Sequence, residues 1–300
     1  MFSAMMRDME KYKKGARRRP PISYRADIAA LPEHIVGSYI PMDMDNETRT
    51  WLEAAADVSA LGILLVGLLR HFVSLTTANG IVGRGGMFVM STIQAAQLLL
   101  GVSRAAAEVR LKQEAAPMFG RLLDIGAGDG GVTSRLQPLF QHVTVTECSM
   151  PMRWRLWRRG YEVLSYQDPF TMEDGSRRYY DVISCLNVLD RTDAPLDLLT
   201  SMRDSLVSEG LLLLAVVLPW CPFVEHGTEK RPPSQLLPME GGECCKGASF
   251  EQSLERLVHN VLNPCGFQLQ RWCKLPYFSE GNLKVEYAVL YDAVMVLKKK

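Results

Sequence analysis

Charge of one sign is what this 300-residue chain has least of. Its 34 lysines and arginines face 33 aspartates and glutamates, a net charge of +1, which gives no overall field to draw a nucleic acid or a membrane. A basic cluster, Lys11, Lys13, Lys14, Arg17, Arg18 and Arg19, is a local exception. Metal-ligand spacing is also missing. The seven cysteines include no CxxC pair, no HxH or HxxxH accompanies them, and the vicinal Cys244 and Cys245 are poorly spaced for zinc, so no metal is expected. The odd count, with Cys148 and Cys185 beside apolar strand candidates, reads as thiols in a reducing compartment. No hydrophobic run is long enough to span a bilayer. The apolar stretch from Ala60 ends at Arg70-His71 and is expected to form part of a buried core helix over 54–75. The opening residues carry Asp8 and Glu10 and lack an apolar leader, so a cytoplasmic home is the compositional default.

What is present suffices for a sizeable core: 47% of residues are hydrophobic and 22% charged, a globular chain holding one large α/β domain with an appendage or two small domains. The rest of the chain has to serve one stretch, Arg121 to Glu147, RLLDIGAGDGGVTSRLQPLFQHVTVTE. Leu122, Leu123 and Ile125 read as a strand, Gly126 to Gly131 as a sharp turn, Val132 to Phe140 as a helix and Val143 to Val145 as the next strand. Glycines permit the backbone angles of such a reversal and leave bare main chain for a ligand to approach.

The spacing Gly126-x-Gly128-x-x-Gly131, with Glu147 about twenty residues on, also fits the dinucleotide fingerprint and a nicotinamide oxidoreductase. Asp124 tilts the choice. A carboxylate at that strand tip faces a pyrophosphate badly but accepts hydrogen bonds from a cationic ligand. S-adenosylmethionine is such a ligand, with a sulfonium, an ammonium and a ribose diol that Glu147 can take.

Beyond the motif, strands and helices alternate. A helix is expected over 149–159, rich in Trp154 and Trp157 that read as core packing, then a strand over 161–166. A buried-type strand ends at Asn187, and Leu211 to Leu218 forms an apolar strand closed by Pro219. An irregular insertion covers 220–248, and a closing hairpin comprises 267–275 and 287–297. Ahead of the motif lie a basic, flexible arm (1–25) and a helical wrap (26–110). The wrap includes a glycine-dense loop over 80–88, either a lid or an ordinary connection, and a helix from Ser91 to about Ala107. The main domain covers 111–300. The fold expected is Rossmann-like α/β, a doubly wound, mostly parallel seven-stranded sheet with a C-terminal antiparallel hairpin and an N-terminal helical segment.

Strand tips in such a sheet converge on one crevice, so Gly126, Glu147, Asn187 and Pro219 should line it. Methyl transfer from a sulfonium is an in-line displacement that asks mainly for positioning and exclusion of water. The pair Asn187 and Asp190 suits a nitrogen ring, since hydrogen bonding to one imidazole nitrogen fixes the tautomer in which the other attacks. Capping of a loop is the plainer role of the same pair.

Six blocks, GRGGMFVMS (83–91), LLDIGAGDGGVT (122–133), DVISCLNVLDR (181–191), LPWCPFVE (218–225), LPYFSEG (275–281) and VLYDAVMVLK (289–298), together resemble the DREV methyltransferase family over about 80–300. The resemblance implies a class I, S-adenosylmethionine-dependent protein-histidine methyltransferase, placing a methyl group on the pros nitrogen in His-x-His stretches of target proteins. It further implies that Asp124, Gly126, Gly128, Glu147 and Asn187 bind the cofactor and that Asn187, Asp190 and Tyr277 are catalytic. Arg191, Pro219, Phe223, Glu225 and Tyr287 would border the peptide. It admits the endoplasmic reticulum or mitochondrion as a location. The sequence departs from the family pattern at Ala288, where a second aromatic is usual, and in the cysteine-containing insertion.

Overall fold

The computed structural model describes residues 17–56, 60–113, 116–239, 247–282 and 284–300. Short helices come first: α1 (Glu33–Val36), α2 (Asn46–Ala55), α3 (Ala60–Leu69) and α4 (Leu75–Val82). A two-residue strand β1 (Met87–Phe88) and helices α5 (Thr92–Leu100) and α6 (Arg104–Gln113) follow. The α/β part runs β2 (Phe119–Ile125), α7 (Thr133–Leu136), β3 (Phe140–Thr146), α8 (Met150–Arg158), β4 (Glu162–Leu164), β5 (Tyr180–Leu186), α9 (Pro195–Asp204) and β6 (Leu206–Val217). A small ribbon of β7 (Val224–His226) and β8 (Glu229–Arg231) precedes α10 (Phe250–Arg256), and the chain ends in the long strands β9 (Phe267–Glu280) and β10 (Tyr287–Lys299).

The main sheet has eight strands in the order β1-β9-β10-β6-β5-β2-β3-β4. The five from β6 to β4 are parallel, and β10, β9 and β1 join antiparallel. Continuous apolar runs form these strands because helices cover both faces. In β6, Leu212, Leu214 and Val216 enter one core while Leu213 and Ala215 enter the other. This is the expected Rossmann-like sheet with a closing hairpin, but with eight strands rather than seven. The addition is β1, whose Met87 and Phe88 pair with Ser279 and Phe278 and so cap the hairpin that the sequence placed at the edge.

Local chemistry accounts for two further differences. The helix expected over 132–140 is one α turn followed by a 3-10 turn, Gln137–Leu139, because Pro138 lacks the N–H a longer helix would use. The helix from Ser91 is two helices, broken at Gly101, whose positive φ of 66° ends α5. Its start is as read: Ser91 and Gln94 form a capping box.

The basic arm is corrected in part. Residues 1–16 lie outside the described set, but 17–25 lie along the hairpin. Arg18 N–H donates to the Lys284 carbonyl, Arg19 pairs with Glu286 at 2.7 Å, and Tyr287 and Tyr291 donate their hydroxyls to the Pro20 and Pro21 carbonyls. Farther on, Ile40 N–H donates to the Trp272 carbonyl and Trp272 N–H to that of Ser38. The buried Trp272 indole donates to the Ile35 carbonyl at 2.8 Å and packs against Tyr39. The wrap is therefore strapped across β9.

Burial is corrected at two places. Leu61, Leu65, Leu68 and Phe72, expected inside, are exposed, as are Trp154 and Trp157 of α8. Cys221 is disulfide-bonded, which the reading of a reducing compartment does not account for, whereas Cys148, Cys185, Cys265 and Cys273 are free thiols. Among the described residues no helix is long and apolar enough to cross a membrane.

Trp272→Ala removes the strap's anchor and a large buried ring. It is expected to lower stability to urea by about 3–5 kcal/mol and to expose residues 17–45 to limited proteolysis before the sheet unfolds.

Candidate functional site

The carboxyl ends of β2, β3 and β5 meet at the glycine turn, as parallel crossover topology requires. Gly126 has φ of 70°, and a Cβ there would stand 2.4 Å from Val188 Cγ2, so this turn and the exit from β5 fit only with glycine at that position. Gly128 (φ 58°) faces the Met87 Cε, bringing edge strand β1 to the turn.

The hydrogen bonds of the turn say what it can hold. Gly126 N–H donates to Thr146 Oγ1, Ala127 N–H to the Thr146 carbonyl, Gly128 N–H to Glu147 Oε2 at 3.0 Å, Gly130 N–H to the Ala127 carbonyl and Gly131 N–H to Asp129 Oδ1. These five donors already have protein acceptors, unlike a phosphate cradle, which aims such groups at its ligand. The helix that follows, α7, has four residues. Two carboxylates bracket the turn. Glu147 is buried, and its Oε1 accepts from Ser149 N–H at 2.8 Å. Asp124 is buried too, with Ser184 Oγ donating to Oδ1 and Thr133 Oγ1 to Oδ2, both at 2.6 Å. The Cys148 thiol donates to Glu147 Oε1 as well, so that oxygen is filled, while Glu147 Oε2 and both Asp124 oxygens each keep a further lone pair for a ligand. Such a site fits a diol and a cation and opposes a pyrophosphate.

The second half of the site surrounds Asn187, which continues β5 with the only positive φ of a non-glycine residue among those described, 58°. Its side-chain amide donates to Asp292 Oδ2 at 2.7 Å. Asp292 is fully buried in β10, opposite Val217 of β6 and Leu275 of β9. Asp190 is buried as well, its Oδ2 paired with Arg191 at 2.8 Å and its carbonyl accepting from Phe223 N–H. One oxygen of each of the three side chains, Asn187 Oδ1, Asp190 Oδ1 and Asp292 Oδ1, is buried with no hydrogen-bond partner. Three adjoining unsatisfied acceptors are costly and ask for a donor.

Burial sets the ionisation of this cluster. It raises Asp292 well above the usual carboxylate range, the Asn187 bond pulling down and the charge of Asp190 pushing up. Asp190 is raised by burial and opposed by Arg191. The Tyr277 hydroxyl is raised by burial and by the charges of Asp292 and Asp190, which places it in the same neighbourhood; it also contacts Met87 Sδ at 2.6 Å. At the mouth, Arg191 lies over the Phe223 ring at 3.8 Å and Lys230 at 3.6 Å, while Glu225 accepts from Thr76 Oγ1 of α4 at 3.3 Å. Pro219 follows the buried Leu218 and is exposed.

Most of the residues singled out in the sequence thus converge, and Tyr287 does not. It packs edge-on against Phe278 under the N-terminal strap, and five residues of strand, about 17 Å, separate it from Asp292. Asp292 is the residue sequence reasoning missed; a lone acid in the apolar run VLYDAVMVL was its signal. The glycine loop is no free lid. Gly85 N–H and Arg84 both donate to Glu280 Oε2 at 3.2 Å, fastening it to the tip of β9.

The model of the DREV methyltransferase family matches residues 24–299. The chain belongs to the DREV methyltransferase family. It is an S-adenosylmethionine-dependent methyltransferase, and the match reaches upstream of residue 80, where the resemblance began, to take in most of the strap. Solved structures similar to it include an S-adenosylmethionine-dependent methyltransferase from Clostridium acetobutylicum (14% identity, TM-score 0.37, covering 69% of this chain and 97% of that one). Others are a TehB-like methyltransferase from Corynebacterium glutamicum (16%, 0.36, 70% and 98%) and a precorrin-6y C5,15-methyltransferase from Geobacter metallireducens (14%, 0.37, 66% and 89%). Likenesses this slight carry nothing about substrate.

Burial lifts the Asp124 carboxyl to about 6, against the pull of the Ser184 and Thr133 hydroxyls. The unfolded carboxyl ionises near pH 3.9, so the folded state holds the extra proton between about pH 4 and 6 and loses stability as pH rises through that window. Asp124→Asn is expected to flatten this part of the stability–pH curve without destabilising the cofactor-free protein at pH 7.5. The same change is expected to weaken S-adenosylhomocysteine binding by about tenfold to a hundredfold in calorimetry, the loss of a charge-assisted hydrogen bond.

Proposed function

We infer that this DREV methyltransferase acts on histidine side chains of protein substrates, at the pros nitrogen, in His-x-His stretches with a small middle residue. The observation that carries the reading is the group of three buried, unpartnered oxygens on Asn187, Asp190 and Asp292. An imidazole N–H supplies a donor to such a cluster, and its other ring nitrogen keeps a lone pair.

Asp124 and Glu147 are proposed to hold the amino-acid and ribose ends of the cofactor, with the bare backbone at Gly126 and Gly128 beneath it and Asn187 alongside. When bound, S-adenosylmethionine supplies an electrophilic methyl group on a sulfonium. Asp190 accepts the N–H of the tele nitrogen, which selects the tautomer whose pros nitrogen carries the lone pair. Asp292 holds the Asn187 amide, so that Asn187 keeps its orientation without rearranging during the reaction. Methylation leaves the ring cationic, and Asp190, made more basic by burial, takes its tele proton. Tyr277 walls the ring from water. Arg191, Phe223, Pro219 and Glu225 border the peptide.

Incubation with labelled cofactor and a His-Ala-His peptide is expected to give pros-methylhistidine. The rate should fall about tenfold per pH unit below about 6.5, where imidazole gains a proton. Asp190→Asn is expected to lower kcat about a hundredfold while the affinity for S-adenosylhomocysteine is kept. Label on lysine or on the tele nitrogen, or an unchanged kcat in that variant, would sink the reading.

A further inference from the structure

Two helices carry rows of large apolar side chains that the fold leaves in water. On α3 and the turn after it, Leu61, Leu65, Leu68 and Phe72 recur at spacings of four, three and four, one side of a helix, and all are exposed, Phe72 by 83%. Gly62 and Val66, on the other side, are buried. On α8 the pattern repeats with Met150, Trp154 and Trp157, the last 69% exposed. Between them α4 exposes Leu75 and Ile81. The three helices pack in series: α3 meets α4, and a Cβ on Gly80 of α4 would touch Pro151 and Met152 of α8, while Arg155 Nε donates to the Gly80 carbonyl at 3.0 Å. Nine large apolar side chains on three adjoining helices exceed the scattered exposure of an ordinary surface.

The charges that these three helices and their flanking turns themselves carry have one sign. No acidic residue occurs from Val58 to Ala107 or from Cys148 to Tyr161, whereas Arg70, Arg84, Arg153, Arg155, Arg158 and Arg159 do. Arg158 lies over the Trp154 ring at 4.7 Å. Acid stands at the borders: Glu225 at Thr76, Glu280 at Arg84, and Asp129 3.8 Å from Arg159. Tryptophan interleaved with arginine is the composition of helices that lie at a bilayer surface, rings at headgroup depth and cations against anionic lipid. The ten residues of α3 measure about 15 Å, half of a bilayer core of roughly 30 Å, so the helix lies along the interface. A second copy of the chain is a poorer occupant, since a two-fold contact sets each arginine row near its own image.

We propose that α3, α4 and α8 form a docking surface for an anionic lipid bilayer. The surface starts at the catalytic crevice, because α8 begins three residues after Glu147 and the loop after α4 leads to Met87 at the glycine turn.

The test is sedimentation of the full chain with phosphatidylcholine vesicles, with and without about 30% phosphatidylserine. Expected are partitioning at least about tenfold stronger onto the anionic vesicles, weakening in high salt, and a blue shift of tryptophan fluorescence. Leu65→Glu/Phe72→Glu, and separately Trp154→Ala/Trp157→Ala, are expected to cut partitioning about tenfold or more while thermal unfolding and S-adenosylhomocysteine affinity stay at the parent values. Failure of the parent protein to sediment with anionic vesicles, or equal sedimentation by both double variants, would overturn the proposal. A dimer in sedimentation velocity that the same substitutions dissolve would also overturn it, in favour of contact between copies.

Discussion

The bond from Gly128 N–H to Glu147 Oε2 ties the bend after β2 to the tip of β3, and the character of the crevice depends on it. A glycine turn can spend its N–H groups on a ligand or on the protein. Here Thr146, Glu147, Ala127 and Asp129 take them, so the turn presents carbon and lone pairs where a phosphate site would present donors. Two buried carboxylates beside it complete a preference for a ligand with cationic and hydroxyl groups. Their cost is visible in Asp124, whose carboxyl holds its proton to about pH 6, a strain on folding that a cation in the site relieves.

The same economy governs the other half of the crevice. Asp292 stands in the middle of a sheet whose neighbours are leucine and valine, and a carboxyl there costs free energy unless something answers it. Asn187 answers one oxygen and, to do so, adopts a left-handed backbone conformation outside glycine's usual territory. Asp190 adds a second acid nearby, offset by Arg191. Under the proposed function, a cluster so expensive in the resting protein is preorganised for a partner that arrives with donors and leaves with positive charge. The antiparallel turn of β10 beside β6 is what brings Asp292 there, so the closing hairpin is part of the site as well as the sheet.

Features decided by short-range rules were legible in the sequence. The central parallel strands β5 and β6 carry apolar runs, the glycine turn follows an apolar strand, and the Ser91 capping box lies within four residues. Asp124, Glu147, Asn187 and Asp190 could be placed because strand ends in such a sheet must meet. Features that depend on distant partners were not legible. Two residues of β1 carry no periodicity, and their strand character comes from Ser279 and Phe278. Asp292 looked like part of a strand rather than part of a site until β10 was set against Asn187. The family resemblance places Tyr287 at the substrate wall, but the strap that covers it comes from 267 residues earlier in the chain, a partner no local pattern reveals. The rows on α3 and α8 had a clear period, but a period tells which side is apolar and not what covers it.

The bend between β2 and α7 is proposed to hold a phosphate-free sulfonium donor between Asp124 and Glu147. The most direct test is a crystal structure of the protein grown with S-adenosylhomocysteine. Expected are the ligand's ammonium within hydrogen-bond distance of the Asp124 carboxylate and its ribose diol on Glu147, with the N–H groups of the turn still bonded to protein. A ligand seated elsewhere, or a turn whose N–H groups swing out to hold it, would contradict the account.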